Sequence, residues 1–506
     1  MSRTKNSIKN AFTGIMGQIL VIIMQFLTRT VFIYTLNEQY LGISGLFTNI
    51  ISMLSLAELG VGTAIMYKLF KPIEEEDQHK IYLIMKFYKT VYRAIGLVIL
   101  VIGLALMPFL KFFIKGDISF VNIYFIFFLH LIQCVSSYIF YAYKSALINA
   151  NQKEYITSLI NTIFLFISNI AQIISLFLCK SFELYITISI FNIIAINIAA
   201  SIFCNKLYPY INKKTNETLP KEEKKEIFKD CYALFIYKVN GVVLSATDNI
   251  IISKFIGIIT VGFYSNYSMI YSILNNFLTK FYNAITASLG NLHAQNDKKT
   301  EYDVFMQINF LTFVISTVAG VEIALVSNEF IKLWIGEKFV ISEIIAWLLG
   351  YKFFLEGQKK VLSTYRNTMG IFQQAKYRPA IGALINLIVS IILVKFIGLP
   401  GVILGTVIAD LSTYMWYDPK IIYQNSFEEK VIEYYIKRLK YTIVFFICGI
   451  ISLCIIKITP ITGLFGFIIH SGICILVSAA VILVLFRNTK EFQSSVNRFL
   501  KIIKRR

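Results

Sequence analysis

The stretch Gln25–Ala64, QFLTRTVFIYTLNEQYLGISGLFTNIISMLSLAELGVGTA, decides the fold. It reads as the end of one apolar helix, a tight turn at Asn37-Glu38-Gln39-Tyr40 and most of a second helix. Two charges, Arg29 and Glu58, sit inside the apolar run. An ionisable group at the centre of a hydrocarbon layer costs about 3 kcal/mol or more, so each of these two needs a partner or a role.

The same pattern fills the chain. Of 506 residues, 57% are hydrophobic and only 15% charged, well below the roughly 25% charged of soluble domains. Mean hydropathy is +0.66. Apolar runs long enough to span a bilayer recur from end to end, which predicts an all-α polytopic membrane protein. Fourteen spans are predicted, near 11–36, 41–66, 88–110, 118–142, 155–179, 182–204, 230–255, 259–288, 304–327, 340–365, 377–397, 400–417, 437–458 and 462–486. The longest polar stretch, Tyr208–Asp230, is too short to build a soluble core. The basic start MSRTKNSIKN leads into an apolar run with no small-x-small cleavage site, so the first span is read as retained.

The net charge of +20 follows from topology and not from nucleic-acid binding. With both termini in the cytoplasm, cytoplasmic segments hold 35 of the 49 Lys and Arg, external loops 8 and span interiors 6. That asymmetry sets the orientation. The seven cysteines form no CxxC and the four histidines no HExxH, so neither a disulfide frame nor a metal site is expected. Three further segments are read locally. Lys80–Arg93 alternates basic and apolar residues and is expected to lie along the inner membrane surface. Trp334 and Phe339 are expected as interface anchors, and the terminal KIIKRR as an inner-face anchor.

The halves repeat. A shift of 220 sets Leu41-Gly42-Ile43-Ser44 on Val261-Gly262-Phe263-Tyr264, and a shift of 222 sets Tyr143-Lys144 on Tyr365-Arg366 and Gln152 on Gln374. Each frame pairs a span with the one six later, an even number, so the repeats are parallel. The expected architecture is two pseudo-symmetric six-helix bundles around a central cavity, plus two C-terminal helices. The expected domains are 1–206, a cytoplasmic linker 207–229, a second bundle 230–417, and 418–506 with the added helices and a basic tail.

Depth along each helix sorts the internal charges. Arg29 and Asp248 lie equally deep on spans one and seven, and Glu58 and Lys238 lie deeper, roughly 15 Å from Arg29. The expected pairs are therefore Arg29 with Asp248 and Lys238 with Glu58. Lys352 is mid-membrane, Lys280 reaches toward the inner headgroups, and Lys359, Lys360 and Arg366 are read as snorkelling. Asp410 is a candidate for a coupling cation. The internal excess is cationic, which suits an anionic ligand, above all a phosphate. Tyr264, Tyr267, Tyr271 and Tyr282 are candidate walls for sugars.

Four blocks in order carry a resemblance over about residues 10–415. They are RTVFIYTLNEQYLGISGLFTNIISMLSLAELGVGTAI, LINANQKEYITSLI, TDNIIISKFIGIITVGFYSNY, and FIKLWIG followed by YRNTMGIFQQAKYRPAIGALINLIVSIILVK. The chain resembles bacterial oligosaccharide flippases of the Wzx type, in the multidrug/oligosaccharidyl-lipid/polysaccharide exporter superfamily. The resemblance implies alternating access in the bacterial cytoplasmic membrane and a polyprenyl-pyrophosphate-linked oligosaccharide as substrate, for surface polysaccharide biosynthesis. It implies a cationic cavity at spans one and seven, which carries over to Arg29 and more loosely to Lys238 and Asp248. Substrate-binding residues are then Arg29, Lys238, Lys280 and Lys352. Charge partners or sites for Na⁺ or proton coupling are Glu58, Asp248 and Asp410, with no other cofactor. Expected partners are the bilayer, the lipid-linked oligosaccharide, and a polysaccharide polymerase with other assembly proteins. A drug/cation antiporter of the same superfamily is the alternative, and would call for an acidic cavity. A membrane glycosyltransferase, polymerase or ligase would need a large external loop or domain, and none is present.

Overall fold

The computed structural model describes residues 3–58, 60–116, 121–212, 216–295, 297–371 and 374–504. Among these the chain is helical, with no strand. Each of the fourteen expected spans is found as helix. Span one is α1 (Arg3–Thr35). Span two is split into α2 (Glu38–Leu54) and α3 (Val61–Glu74). Span three is α4 (Gln78–Leu106), and span four is α5 (Ile123–Ile139) with α6 (Tyr143–Ala150) bent from it by 48°. Spans five and six are α7 (Glu154–Cys179) and α8 (Phe182–Leu207). Spans seven to ten are α9 (Lys221–Phe255), α10 (Ile258–Ala294), α11 (Lys298–Ile335) and α12 (Glu343–Thr368). Spans eleven and twelve are α13 (Arg378–Ile397) and α14 (Leu399–Ser412), the latter followed by α15 (Tyr414–Ser426). Then come α16 (Val431–Ile458), α17 (Gly463–Phe486) and the terminal α18 (Lys490–Lys504).

Among the described residues, nine helices are long and apolar enough to cross a membrane alone, and the bent pair α5–α6 makes ten. The four spans that fall short are those of α2–α3, α9, α10 and α12. They carry Glu58; Lys238 and Asp248; Lys280; and Lys352, Glu356, Lys359 and Lys360. The internal charges are thus concentrated on helices that need protein around them, as intramembrane ionisable groups do. On other helices large apolar side chains face outward, among them Leu178, Ile202, Phe396, Phe465 and Leu476. In water such a surface would aggregate; in hydrocarbon it is the solvated face. The chain is a multi-pass membrane protein.

Two compact units divide at α10, Met1–Gly262 and Phe263–Arg506. In the first, α1 packs along α7, α7 on α8, and α9 on α2 and α3. Its core includes Phe47 edge-on to Phe127 at 5.2 Å. In the second, α11 packs on α12 and α17, and α13 on α14. Here the last two spans are part of the core. Tyr441 and Phe445 of α16 and Cys474 of α17 pack with Phe310, Phe313 and Phe354. Phe313 and Tyr441 stack at 4.0 Å. Lipid tails are as apolar as Phe, so this packing stabilises through close contact more than through transfer from water.

A crossing within the first unit repeats itself under the 220 shift. A Cβ on Gly42 would lie 2.0 Å from the Ile258 carbonyl oxygen, and one on Gly262 would lie 2.6 Å from the Glu38 carbonyl oxygen. Adding 220 to 38 and 42 gives 258 and 262, so each glycine meets the residue four positions before its partner glycine. A contact in which i meets j and j meets i is the mark of a two-fold relation. The paired glycines of the sequence repeat are therefore in direct backbone contact.

Three local readings change. Span two is not one helix: a 3₁₀ turn, Ser55–Glu58, interrupts it, and Gly60 takes φ +97° to start α3. Only Gly adopts that conformation without strain. Lys80–Arg93 does not lie apart on the membrane surface. It is the first half of the continuous helix α4, because Ile81, Ile84, Met85, Tyr88 and Tyr92 are buried inside the first unit. Phe339 is buried and packs edge-on against Phe263 at 5.3 Å, so it is a core residue and not an interface anchor.

Candidate functional site

The break in span two builds the first polar centre. It turns Glu58 toward α4 and α5, where Tyr92 and Tyr138 each donate to one of its carboxyl oxygens at 2.6 Å. Hydrogen bonds to a charged group stabilise by about 1.5–3 kcal/mol each. Ser55 and Cys134 lie 3.2 Å apart beside them. Both Glu58 oxygens are thus held by phenols. The expected partner Lys238 is on α9, with its side chain outside the described residues.

Arg29 belongs to a second polar seam, between α1, α7 and α8. One residue before it, buried Thr28 donates to Asn169 Oδ1 at 2.7 Å. Gln172, one turn along α7, donates to Ser189 Oγ at 2.7 Å and to the Tyr185 carbonyl at 3.2 Å. Tyr185 acts electrostatically on Arg29, and its ring packs against Phe32 at 5.1 Å. Asn169 thereby ties α7 to α1 one residue from the guanidinium, and Gln172 ties α7 to α8. Asp248 is buried on α9, which packs against α2 and α3.

The second unit holds a denser charge network. Lys359 donates to Asp410 Oδ1 and Oδ2 at 3.3 and 3.2 Å and lies 2.7 Å from Glu356. Asp418, fully buried, is paired with Arg378 and lies 3.7 Å from Arg366. The Tyr414 ring sits between the two groups, 3.9 Å from the Arg378 guanidinium and 5.0 Å from the Lys359 ammonium. Three cations meet three carboxylates. Buried charges persist only when neutralised in this way.

Lys359 and Arg366 therefore do not snorkel; Arg366 is buried, Lys359 half-buried, and both are paired within the unit. Lys360 turns to Thr279 at 2.5 Å. The cation beside Asp410 is the Lys359 ammonium. Lys352 is half-buried, 5.9 Å over the Tyr271 ring, and Lys280 is exposed. Tyr264, Tyr267 and Tyr282 are buried. Tyr267 donates to Asn328 at 2.6 Å and accepts from the Ile341 N–H at 3.2 Å, and Tyr282 bonds Thr312. Sequence reading missed Glu356, Tyr92, Tyr138, Arg378 and Asp418. Only Glu356 left a signal, its i,i+3 spacing from Lys359 on the same helix.

No family model matches the sequence. No curated protein matches it either. Solved structures do. The lipid II flippase MurJ in an inward closed conformation is 17% identical, with a TM-score of 0.69 over 95% of this chain and 99% of that one. An inward-facing multidrug resistance MATE transporter of the MOP superfamily is 12% identical, with a TM-score of 0.63 over 82% of this chain and 99% of that one. A Vibrio cholerae MATE transporter is 13% identical, with a TM-score of 0.58 over 84% and 96%. At such identities the likeness is one of fold, and the fold is the one shared by the lipid II flippase and the MATE transporters.

Proposed function

We propose that the chain is a flippase that moves polyprenyl-pyrophosphate-linked oligosaccharide across the bacterial cytoplasmic membrane by alternating access. The observation that carries this reading is coverage. The MATE structures are matched almost whole yet leave about a sixth of this chain unmatched, whereas the lipid II flippase matches 95% of it at the higher TM-score. A fold drawn out to the full length of a lipid-linked flippase fits a lipid-linked substrate better than a free drug. The charge pattern agrees. In the sequence reading the charges inside the spans have a cationic excess, which suits pyrophosphate and repels organic cations. The neighbours are transporters and not enzymes, which supports a non-catalytic role.

The decisive experiment is transport of defined polyprenyl-pyrophosphate sugars in proteoliposomes, with and without Na⁺ and proton gradients. Wild type should expose the sugar on the opposite leaflet, and Arg29→Ala should abolish this while inserting normally. Undiminished translocation by Arg29→Ala, or efflux of cationic drugs in its place, would overturn the proposal.

A further inference from the structure

A cavity of about 500 Å³ opens on the first unit between α4, the α5–α6 turn and the end of α8. The basic-residue count places this end of the helices on the cytoplasmic side. Its wall includes Lys89, Tyr141, Lys144, Ser201, Ile202 and Asn205. Lys144 is 5% exposed, and its ammonium donates to Ser201 Oγ at 3.0 Å and Asn205 Oδ1 at 2.6 Å. Both partners are neutral. Among the described residues no carboxylate lies within ion-pair distance of Lys144 or Lys89, and the groups that act on Lys89 electrostatically include a further cation, Arg93.

The hydrogen-bond inventory of this wall is one-sided. Ser201 accepts from Lys144 and keeps its hydroxyl proton to donate. Asn205 gives its carbonyl oxygen to Lys144 and keeps its amide N–H groups. Lys144 has a third N–H, Lys89 has three, and the tyrosines add phenols. A wall of donors around uncompensated positive charge suits an anion that only accepts. The backbone adds an independent sign. Tyr141 takes φ +59°, a region that bulky residues avoid, and its carbonyl accepts from the Lys144 N–H at 2.9 Å. Such a conformation persists where the surroundings fix it, and here it sets Tyr141 and Lys144 on one cavity. Ile202 on the rim is 60% exposed on the lipid-facing side of α8, so the polar pocket adjoins hydrocarbon.

We infer that this cavity binds the phosphate head of an anionic lipid from the inner leaflet, with Lys144 and Lys89 on the phosphate and the tail lying along α8. The site is independent of the transport reading, because binding is scored without translocation. The test uses the full-length protein in phosphatidylcholine nanodiscs, titrated with phosphatidylglycerol, farnesyl pyrophosphate or inorganic phosphate, and retained ligand is read by native mass spectrometry. At least one of the two anionic lipids should be retained. Preference for phosphatidylglycerol identifies a membrane phospholipid, and preference for farnesyl pyrophosphate identifies a prenyl carrier. Lys144→Met should weaken retention about tenfold or more, the loss of one charge-assisted contact. Lys89→Gln, at a half-buried position that tolerates substitution, should weaken it by a smaller factor and guards against misfolding of the first variant. Inorganic phosphate held as tightly as the lipids would overturn the lipid assignment, and undiminished retention by both variants would overturn the site.

Discussion

The C-terminal ends of spans four and ten occupy equivalent places in the sequence repeat, and they handle a buried cation in opposite ways. Tyr143-Lys144 aligns with Tyr365-Arg366. Arg366 is 2% exposed and shares Asp418 with Arg378. Lys144 is 5% exposed and donates to the neutral Ser201 and Asn205, with no carboxylate in ion-pair distance among the described residues. One corner is neutralised from within; the other keeps its charge beside a cavity of about 500 Å³. The same repeat position therefore lies in a buried ion cluster in one half and beside a cavity in the other. Guanidinium and ammonium fit these roles, since a planar fork suits a shared carboxylate and a compact ammonium suits a point contact.

The largest expected effect breaks the neutralised corner. Asp418→Asn leaves Arg366 and Arg378 buried without their carboxylate, and removing one partner of a buried ion pair costs about 3–5 kcal/mol. Thermal unfolding in detergent should show a large drop for Asp418→Asn. Replacing the group with apolar residues, Asp418→Leu with Arg366→Met and Arg378→Met, should recover much of it, because a buried ion cluster is often no more stable than an apolar one of similar volume. An Asp418→Asn protein as stable as wild type would mean the cluster is not buried as seen. Lys144→Met should cost far less, about 1 kcal/mol, since its partners are neutral and uncharged groups remain in place of an orphaned charge. If Lys144→Met proves as damaging as Asp418→Asn, the two corners are alike and the comparison fails.

A middle effect comes from the Glu58 centre. Tyr92→Phe and Tyr138→Phe each remove one hydrogen bond to the carboxyl group, for about 1.5–3 kcal/mol apiece. Because both act on one group, the double variant should depart from the sum of the singles. Additive losses would mean that the two phenols do not share Glu58.

How much of this was readable in the sequence follows from what each signal encodes. All fourteen helical spans were legible, because length, hydropathy and the Lys/Arg asymmetry are properties of single segments. The repeat was legible in two short frames, and the reciprocal Gly42 and Gly262 contact gives the first of them a physical basis. Depth was legible too, but depth does not fix the face of a helix. Lys359 and Arg366 lie near the end of span ten and were read as snorkelling, whereas their helix turns them inward onto Asp410 and Asp418, 51 and 52 residues on. Tyr92 and Tyr138 could not be matched to Glu58 for the same reason: they lie 34 and 80 residues away, on other helices. The break at Ser55–Glu58 lies inside a run apolar enough to read as one span, with Glu58 and Gly60 as its local signs.

The exposed ion pairs between α3–α4 and the start of α9 give the lower bound against which both corners can be judged. Lys68 meets Glu226 at 2.9 Å, and Lys80 meets Glu223 at 3.2 Å, with water around all four. The Lys68 ammonium bonds the Glu226 carboxylate and holds it below its ordinary value of 4.5. A depressed folded-state value means the unfolded chain binds the proton more tightly, so the pair's contribution is complete above the ordinary glutamate range and is lost as the pH falls through the depressed value. Unfolding measured against pH should therefore be flat with respect to Glu226 across neutral pH and decline only in acid. Glu226→Gln should remove that acid-side slope, and added salt should shrink the wild-type effect, since exposed pairs are screened. The Asp418 cluster, sealed from ions, should keep its contribution in the same salt titration. A salt dependence as steep for the Asp418 contribution as for Glu226 would show that water reaches the span-ten corner, and that the contrast with Lys144 is one of degree.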